Sequence, residues 1–121
     1  MRAFLMLQAA VWLSYGVYCF VAPESLGGAA GVAISSPTGS VELRAMYGGL
    51  QIALGVLCLL ASRRATLTRA ALTTLAFLAT GLGSARLLGM ALDGGLSTYT
   101  LCALAFEWGT LGGAVACLRA G

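Results

Sequence analysis

The sequence predicts an all-α integral membrane protein, a single-domain bundle of four transmembrane helices over residues 1–121. Three observations carry this expectation. Hydrophobic residues make up 60% of the chain and charged residues only 9%, against about 25% charged in a typical soluble domain. Lipid must therefore cover much of the surface. Four stretches approach or reach the roughly 20 mostly apolar residues that a membrane crossing needs. Finally, five of the seven arginines fall on one side of a four-span path.

The first span is expected over about 4–21, ending at Ala22-Pro23. Arg2 followed by an apolar run resembles a secretory signal, but the run reaches Val21 without a small-residue cleavage site, so a retained helix is expected. The second span covers about 41–61 and stops at Ser62-Arg63-Arg64. The third covers about 70–90 and stops before Asp93-Gly94-Gly95, where the glycines favour a turn. The fourth covers about 98–118 and stops at Arg119. The one long connection, residues 22–40, is read as an outer loop. In it Pro23-Glu24 open a short helix, Gly27, Gly28 and Gly31 break it, and Ser40 caps the second span.

Arg2, Arg63, Arg64, Arg69 and Arg119 share one side of this path, while Glu24, Glu42 and Asp93 belong to the other. By the positive-inside rule both termini are expected in the cytoplasm. Small residues recur every fourth position at Ala45-Gly49-Ala53, Gly81-Ala85-Gly89 and Ala105-Gly109-Gly113. Such rows let helix backbones approach closely in lipid, within one chain or between copies, so a homo-oligomer is also expected.

Composition removes several classes of chemistry. There is no histidine, which excludes His-ligated haem, most zinc and copper sites and His-based nucleophilic dyads. Cys19, Cys58, Cys102 and Cys117 form no Cys-x-x-Cys pair and read as free packing residues. The net charge of +3 is too small and scattered for nucleic-acid binding. The Gly27–Gly31 run has neither a preceding strand nor a following lysine, so it is no phosphate loop. No cofactor or metal is expected. The expected partners are membrane lipid and a lipophilic small molecule.

Charge inside a span is costly, at least about 2.5–3.5 kcal/mol per residue on insertion scales. Three such residues stand out: Arg44 one turn into the second span, Arg86 in the outer half of the third, and Glu107 near the middle of the fourth. Depth allows Glu107 to pair with either arginine, as a polar site or as a structural ion pair that fixes register. Helical spacing aligns Arg44, Gly48, Gln51, Gly55 and Cys58 on one face. It also aligns Gln8, Trp12, Tyr15 and Cys19 on another, and Thr100, Glu107 and Thr110 on a third. Trp12 and Tyr15 also fit ordinary packing. Glu42, expected in the first turn of its helix, is favoured there by the helix dipole alone. It and Glu107 are the two candidate catalytic carboxylates.

The run Glu42-Leu43-Arg44-Ala45-Met46-Tyr47-Gly48-Gly49-Leu50, with Tyr15-Gly16 and Ala22-Pro23-Glu24 before it, resembles a family of small bacterial four-span proteins. So do Gly83-Ser84-Ala85-Arg86-Leu87-Leu88-Gly89 and Glu107. The family is the domain of unknown function 4345, with a looser similarity to DoxX-like membrane proteins. The resemblance implies a four-helix inner-membrane protein without an assigned activity. It draws attention to Glu42, Arg44, Gly48, Gly49, Arg86 and Glu107, with Tyr47 beside them. Three functions fit the residues. The first is a bundle binding a lipophilic molecule or lipid through Arg44, Arg86, Glu107, Gln51, Tyr15, Trp12 and Tyr47. The second is an enzyme using a carboxylate as acid or base on a lipophilic substrate. The third is an accessory subunit of a membrane complex.

Overall fold

The computed structural model describes residues 1–121 and is helical almost throughout. The helices are α1 (Arg2–Val21), α2 (Ser25–Ala30), α3 (Pro37–Leu43), α4 (Leu50–Arg63), α5 (Ala65–Asp93) and α6 (Thr98–Ala120). A π-helical segment, Arg44–Gly49, joins α3 to α4, so that Pro37–Arg63 runs as one span. Four helices are long and apolar enough to cross a membrane: Arg2–Val21, Pro37–Arg63, Ala65–Asp93 and Thr98–Ala120. The chain is thus an all-α membrane protein. It divides into two compact units, Met1–Arg64 and Ala65–Gly121.

In the first unit α1 runs antiparallel to α4 and the π segment. The apolar pattern alone does not bring these helices together, because lipid solvates leucine as well as a neighbouring helix does. Close backbone approach does. A Cβ on Gly16 would stand 2.8 Å from the Ile52 nitrogen and 2.9 Å from the Gly48 oxygen. One on Gly48 would stand 2.8 Å from Phe20 Cβ, and one on Gly55 2.5 Å from Leu13 Cγ. These three glycines form the seam. Leu5, Gln8, Ala9, Trp12 and Cys19 of α1 are buried along it, with Leu54, Cys58 and Ala61 of α4.

The connection between α1 and the second span differs from the expected loop in two ways. Gly27 and Gly28 lie within α2, and only Gly31 ends it, with φ 71°. That left-handed turn returns the Gly31 and Val32 N–H groups to the carbonyls of Gly27 and Leu26. Pro23 and Leu26 anchor the segment by burial. Moreover, the second span starts earlier than Ser40. Ser36 is the N-cap, its Oγ accepting from the Gly39 N–H at 3.1 Å, and Pro37 occupies the first helical position. Proline is suited there because its missing N–H would have no partner in any case.

In the second unit α5 and α6 form an antiparallel pair. Their connection turns at Gly94 and Gly95, both with positive φ. Ser97 then caps α6 by accepting from the Thr100 N–H at 3.2 Å. The buried residues of α5 are Ala71, Leu72, Leu75, Ala79 and Gly83, a stripe at helical spacing. Gly83 lets Trp108 of α6 lie against it, since a Cβ there would be 3.2 Å from Trp108 Cε2. At 29 residues α5 is the longest helix, about 43 Å at 1.5 Å per residue. That exceeds a hydrocarbon core of roughly 30 Å, so its ends reach the interfaces.

Candidate functional site

Arg86 continues the buried stripe of α5 by one turn beyond Gly83, and Glu107 begins the buried row Glu107, Thr110, Ala114 of α6. Their side chains therefore meet inside the second unit. Arg86 Nε donates to Glu107 Oε1 and Oε2 at 3.2 and 3.1 Å, and Nη2 donates to Oε1 at 2.6 Å. The planar guanidinium fork thus grips the carboxylate edge-on, the geometry that makes arginine–carboxylate pairs strong and directional. Glu107 lies nine residues from the start of α6, about 14 Å along the axis, too deep for its short side chain to reach the interface. The carboxylate is 5% exposed and the guanidinium side chain 27%. The pair is therefore lopsided: the acid is enclosed by protein, and the base remains partly at the surface.

In the first unit Arg44 has a different partner. Its Nη1 donates to the Phe20 carbonyl oxygen, and its guanidinium carbon lies 5.6 Å from the centre of the Phe20 ring. Phe20 is in the last turn of α1, where carbonyls lack helical donors and the helix dipole is negative. Arg44 thus caps α1 from a neighbouring element and adds a cation–π contact. In the π segment beginning at Arg44 the N–H groups reach back five residues instead of four, as the Leu50 N–H does to the Ala45 carbonyl. Gly48, within it, leaves room for Phe20.

The remaining sequence candidates are all in the first unit. Trp12 is buried and donates its indole N–H to Gln8 Oε1 at 2.9 Å. Tyr15, Tyr47 and Gln51 are half-buried. The Oε1 atom of Gln51 is enclosed with no donor. Glu42 is exposed near the C-terminal end of α3 rather than in a first turn, because the helix begins at Pro37. The dipole argument for it therefore does not hold. Sequence reasoning missed the π segment and the role of Phe20. The adjacent Gly48-Gly49 hints at close approach but not at a changed helical repeat. The four cysteines are free thiols.

These features define a class: a multi-pass helical membrane protein with a buried arginine–glutamate pair between two of its spans. The family model for the domain of unknown function 4345 matches residues 1–118, so the chain belongs to that family. Comparisons with curated proteins and with solved structures find no match.

Proposed function

We propose that this protein binds a lipophilic small molecule or a lipid, whose polar end meets the Arg86–Glu107 pair. The observation that carries this reading is the unequal burial of the two partners, 27% exposed for arginine and 5% for glutamate. Glu107 fixes the guanidinium and cancels its charge. A hydrogen-bond acceptor on a ligand can then approach an oriented donor without bringing a full charge into the membrane. Hydrocarbon supplies no such acceptor, whereas an ester, carbonyl or phosphate oxygen does. The acid–base alternative draws on Glu107 and Glu42. The first is taken up by Arg86 and the second is exposed, which favours binding over catalysis.

The setting belongs to the same proposal: a bacterial inner membrane, with both termini in the cytoplasm, the orientation that the arginine distribution supports. A homo-oligomer is supported by the Gly109 and Gly112 positions, where an added Cβ would meet nothing within its own hairpin. Native mass spectrometry in mild detergent tests both ligand retention and assembly. The paired replacement Arg86→Met/Glu107→Leu should keep the helical spectrum and lose a co-purifying lipid or small molecule. An unchanged retained species in the folded double variant would reduce the pair to a structural role. A monomer in detergent and again in lipid discs would remove the oligomer.

A further inference from the structure

Arg44 and Arg86 use their guanidinium groups differently. Arg86 turns its Nε–Nη2 edge to Glu107, so a carboxylate cancels its charge. Arg44 engages the first unit through the other corner: Nη1 donates to the Phe20 carbonyl, with the Phe20 ring 5.6 Å from the guanidinium carbon. A carbonyl and a ring attract a cation without neutralising it. The carboxylates of the first unit are Glu24 and Glu42, both exposed, and neither forms an ion pair with Arg44. The edge with which Arg86 grips an acid therefore meets no acid of the first unit in Arg44.

Depth makes this charge consequential. The span Pro37–Arg63 holds 27 residues, about 40 Å of helix against a hydrocarbon core of roughly 30 Å. Arg44 directly follows the seven residues of α3, about 10 Å from the start of the span. It thus lies close to a hydrocarbon boundary, where an uncancelled charge is costly and headgroups are within reach of a long stem. The side chain is half-buried, and its contacts with Phe20 hold the fork in one place. Phe20 is 48% exposed and presents apolar surface beside the cation.

We infer that Arg44 is an anion site, whose Nε–Nη2 edge takes the paired oxygens of a phosphate or carboxylate group. Two oxygens side by side match the spacing of that edge. The site differs in ligand class from the one proposed at Arg86. There Glu107 supplies the negative charge and a neutral acceptor suffices, whereas Arg44 calls for a ligand that brings its own. The anion can arrive on an amphiphile or from solution.

The test titrates the full chain in mild detergent with phosphatidylglycerol, phosphatidylcholine or inorganic phosphate, and counts bound species by native mass spectrometry. Phosphatidylcholine carries the same phosphate with its charge cancelled by choline. Wild type should bind its first phosphatidylglycerol about tenfold more tightly than phosphatidylcholine, the preference expected of one charge-assisted contact. Arg44→Gln keeps a donor for the Phe20 carbonyl but loses the charge, and should abolish that preference. Arg69→Gln removes an equal charge from an exposed position and should leave it intact. Displacement of the lipid by inorganic phosphate, with a phosphate adduct in its place, would identify a site for the free anion; retention against phosphate would identify a headgroup site. Equal binding of the two lipids by wild type, with no phosphate adduct, would overturn the proposal. So would an undiminished preference in folded Arg44→Gln. Should that variant not fold, Arg44→Lys decides: it keeps the charge without the planar fork, so affinity should fall severalfold, and an unchanged affinity overturns the proposal. Loss of the preference in Arg86→Met/Glu107→Leu alone would place the anion at the other site, overturning this inference and leaving that reading standing.

Discussion

Replacing Glu107 tests the site most directly. Glu107→Ala removes the acceptor of three N–H···O contacts, at 3.2, 3.1 and 2.6 Å, and leaves Arg86 within its span without its counter-charge. Breaking a buried ion pair by removing one partner costs about 3–5 kcal/mol. Because Arg86 keeps 27% exposure and can turn toward the interface, the lower end of that range applies, about 3 kcal/mol. Glu107→Gln retains one acceptor oxygen and the side-chain volume but loses the charge. It should cost about 1.5–2 kcal/mol, the difference between a charge-assisted and a neutral hydrogen bond plus imperfect pairing. Arg86→Met/Glu107→Leu removes both charges and should be within about 1 kcal/mol of wild type, since apolar replacement of a whole buried pair is often neutral. The assay is reversible unfolding in mixed detergent micelles followed by helical circular dichroism, read as a double-mutant cycle. Additive costs in the double variant, or a Glu107→Ala cost below about 1 kcal/mol, would refute the coupling on which this reasoning rests.

Four further outcomes follow from the geometry. Gly55→Ala should destabilise the first unit by about 1–3 kcal/mol through overpacking, because its Cβ would fall 2.5 Å from Leu13 Cγ and 2.9 Å from the Leu13 nitrogen; Gly81→Ala, with nothing within 4 Å, should instead be neutral or stabilising by up to about 1 kcal/mol in the same unfolding assay. Arg44→Met should release the Phe20 carbonyl and raise amide hydrogen exchange in the last turn of α1 and the first of α2, whereas unchanged exchange would show that the cap holds nothing. In folded protein a membrane-permeant maleimide should label exposed Cys102 well before Cys19 and Cys58, which are fully buried, and rapid labelling of Cys58 would contradict the α1–α4 seam. Reporter fusions after Gly121 and within residues 27–38 should report opposite sides of the membrane; the same side for both would break the four-span path.

The four spans were legible because length and apolarity alone specify them in lipid, and their observed ends extend the expected ones by only a few residues. The start of the second span was not. The apolar run begins at Val41, yet Ser36 and Pro37 supply a better start than Ser40, and the intervening Thr38, Gly39 and Ser40 hide it. Glu107 was legible as a residue that must find a partner, because depth forbids it to reach water. Depth could not choose between Arg44 and Arg86. The choice is made by the hairpin: Arg86 shares a helix pair with Glu107, and Arg44 is taken by Phe20. The glycine rows illustrate a related limit. The small-residue rows picked out Gly49, Gly81, Gly89, Gly109 and Gly113, whereas the close approaches within the units run through Gly16, Gly48, Gly55 and Gly83, of which helical spacing had placed only Gly48 and Gly55 on the Arg44 face. A period of four identifies faces on which approach is allowed, while the residue opposite decides where it happens.

The π segment also sets how this chain tolerates changes in length. It holds one residue more than an α-helical turn would, between two stretches of ordinary helix. Deleting a residue between Arg44 and Gly48 would let the span close into uninterrupted α-helix with every backbone bond restored. The π segment winds its extra residue into nearly the rotation and rise of ordinary α-helix, so the deletion would leave the upstream end with almost the same phase and position. Arg44 would keep its place beside Phe20, and Glu42 its direction. The span thus tolerates a one-residue deletion at this point, whereas the same deletion within α4 would turn everything before it by about 100°.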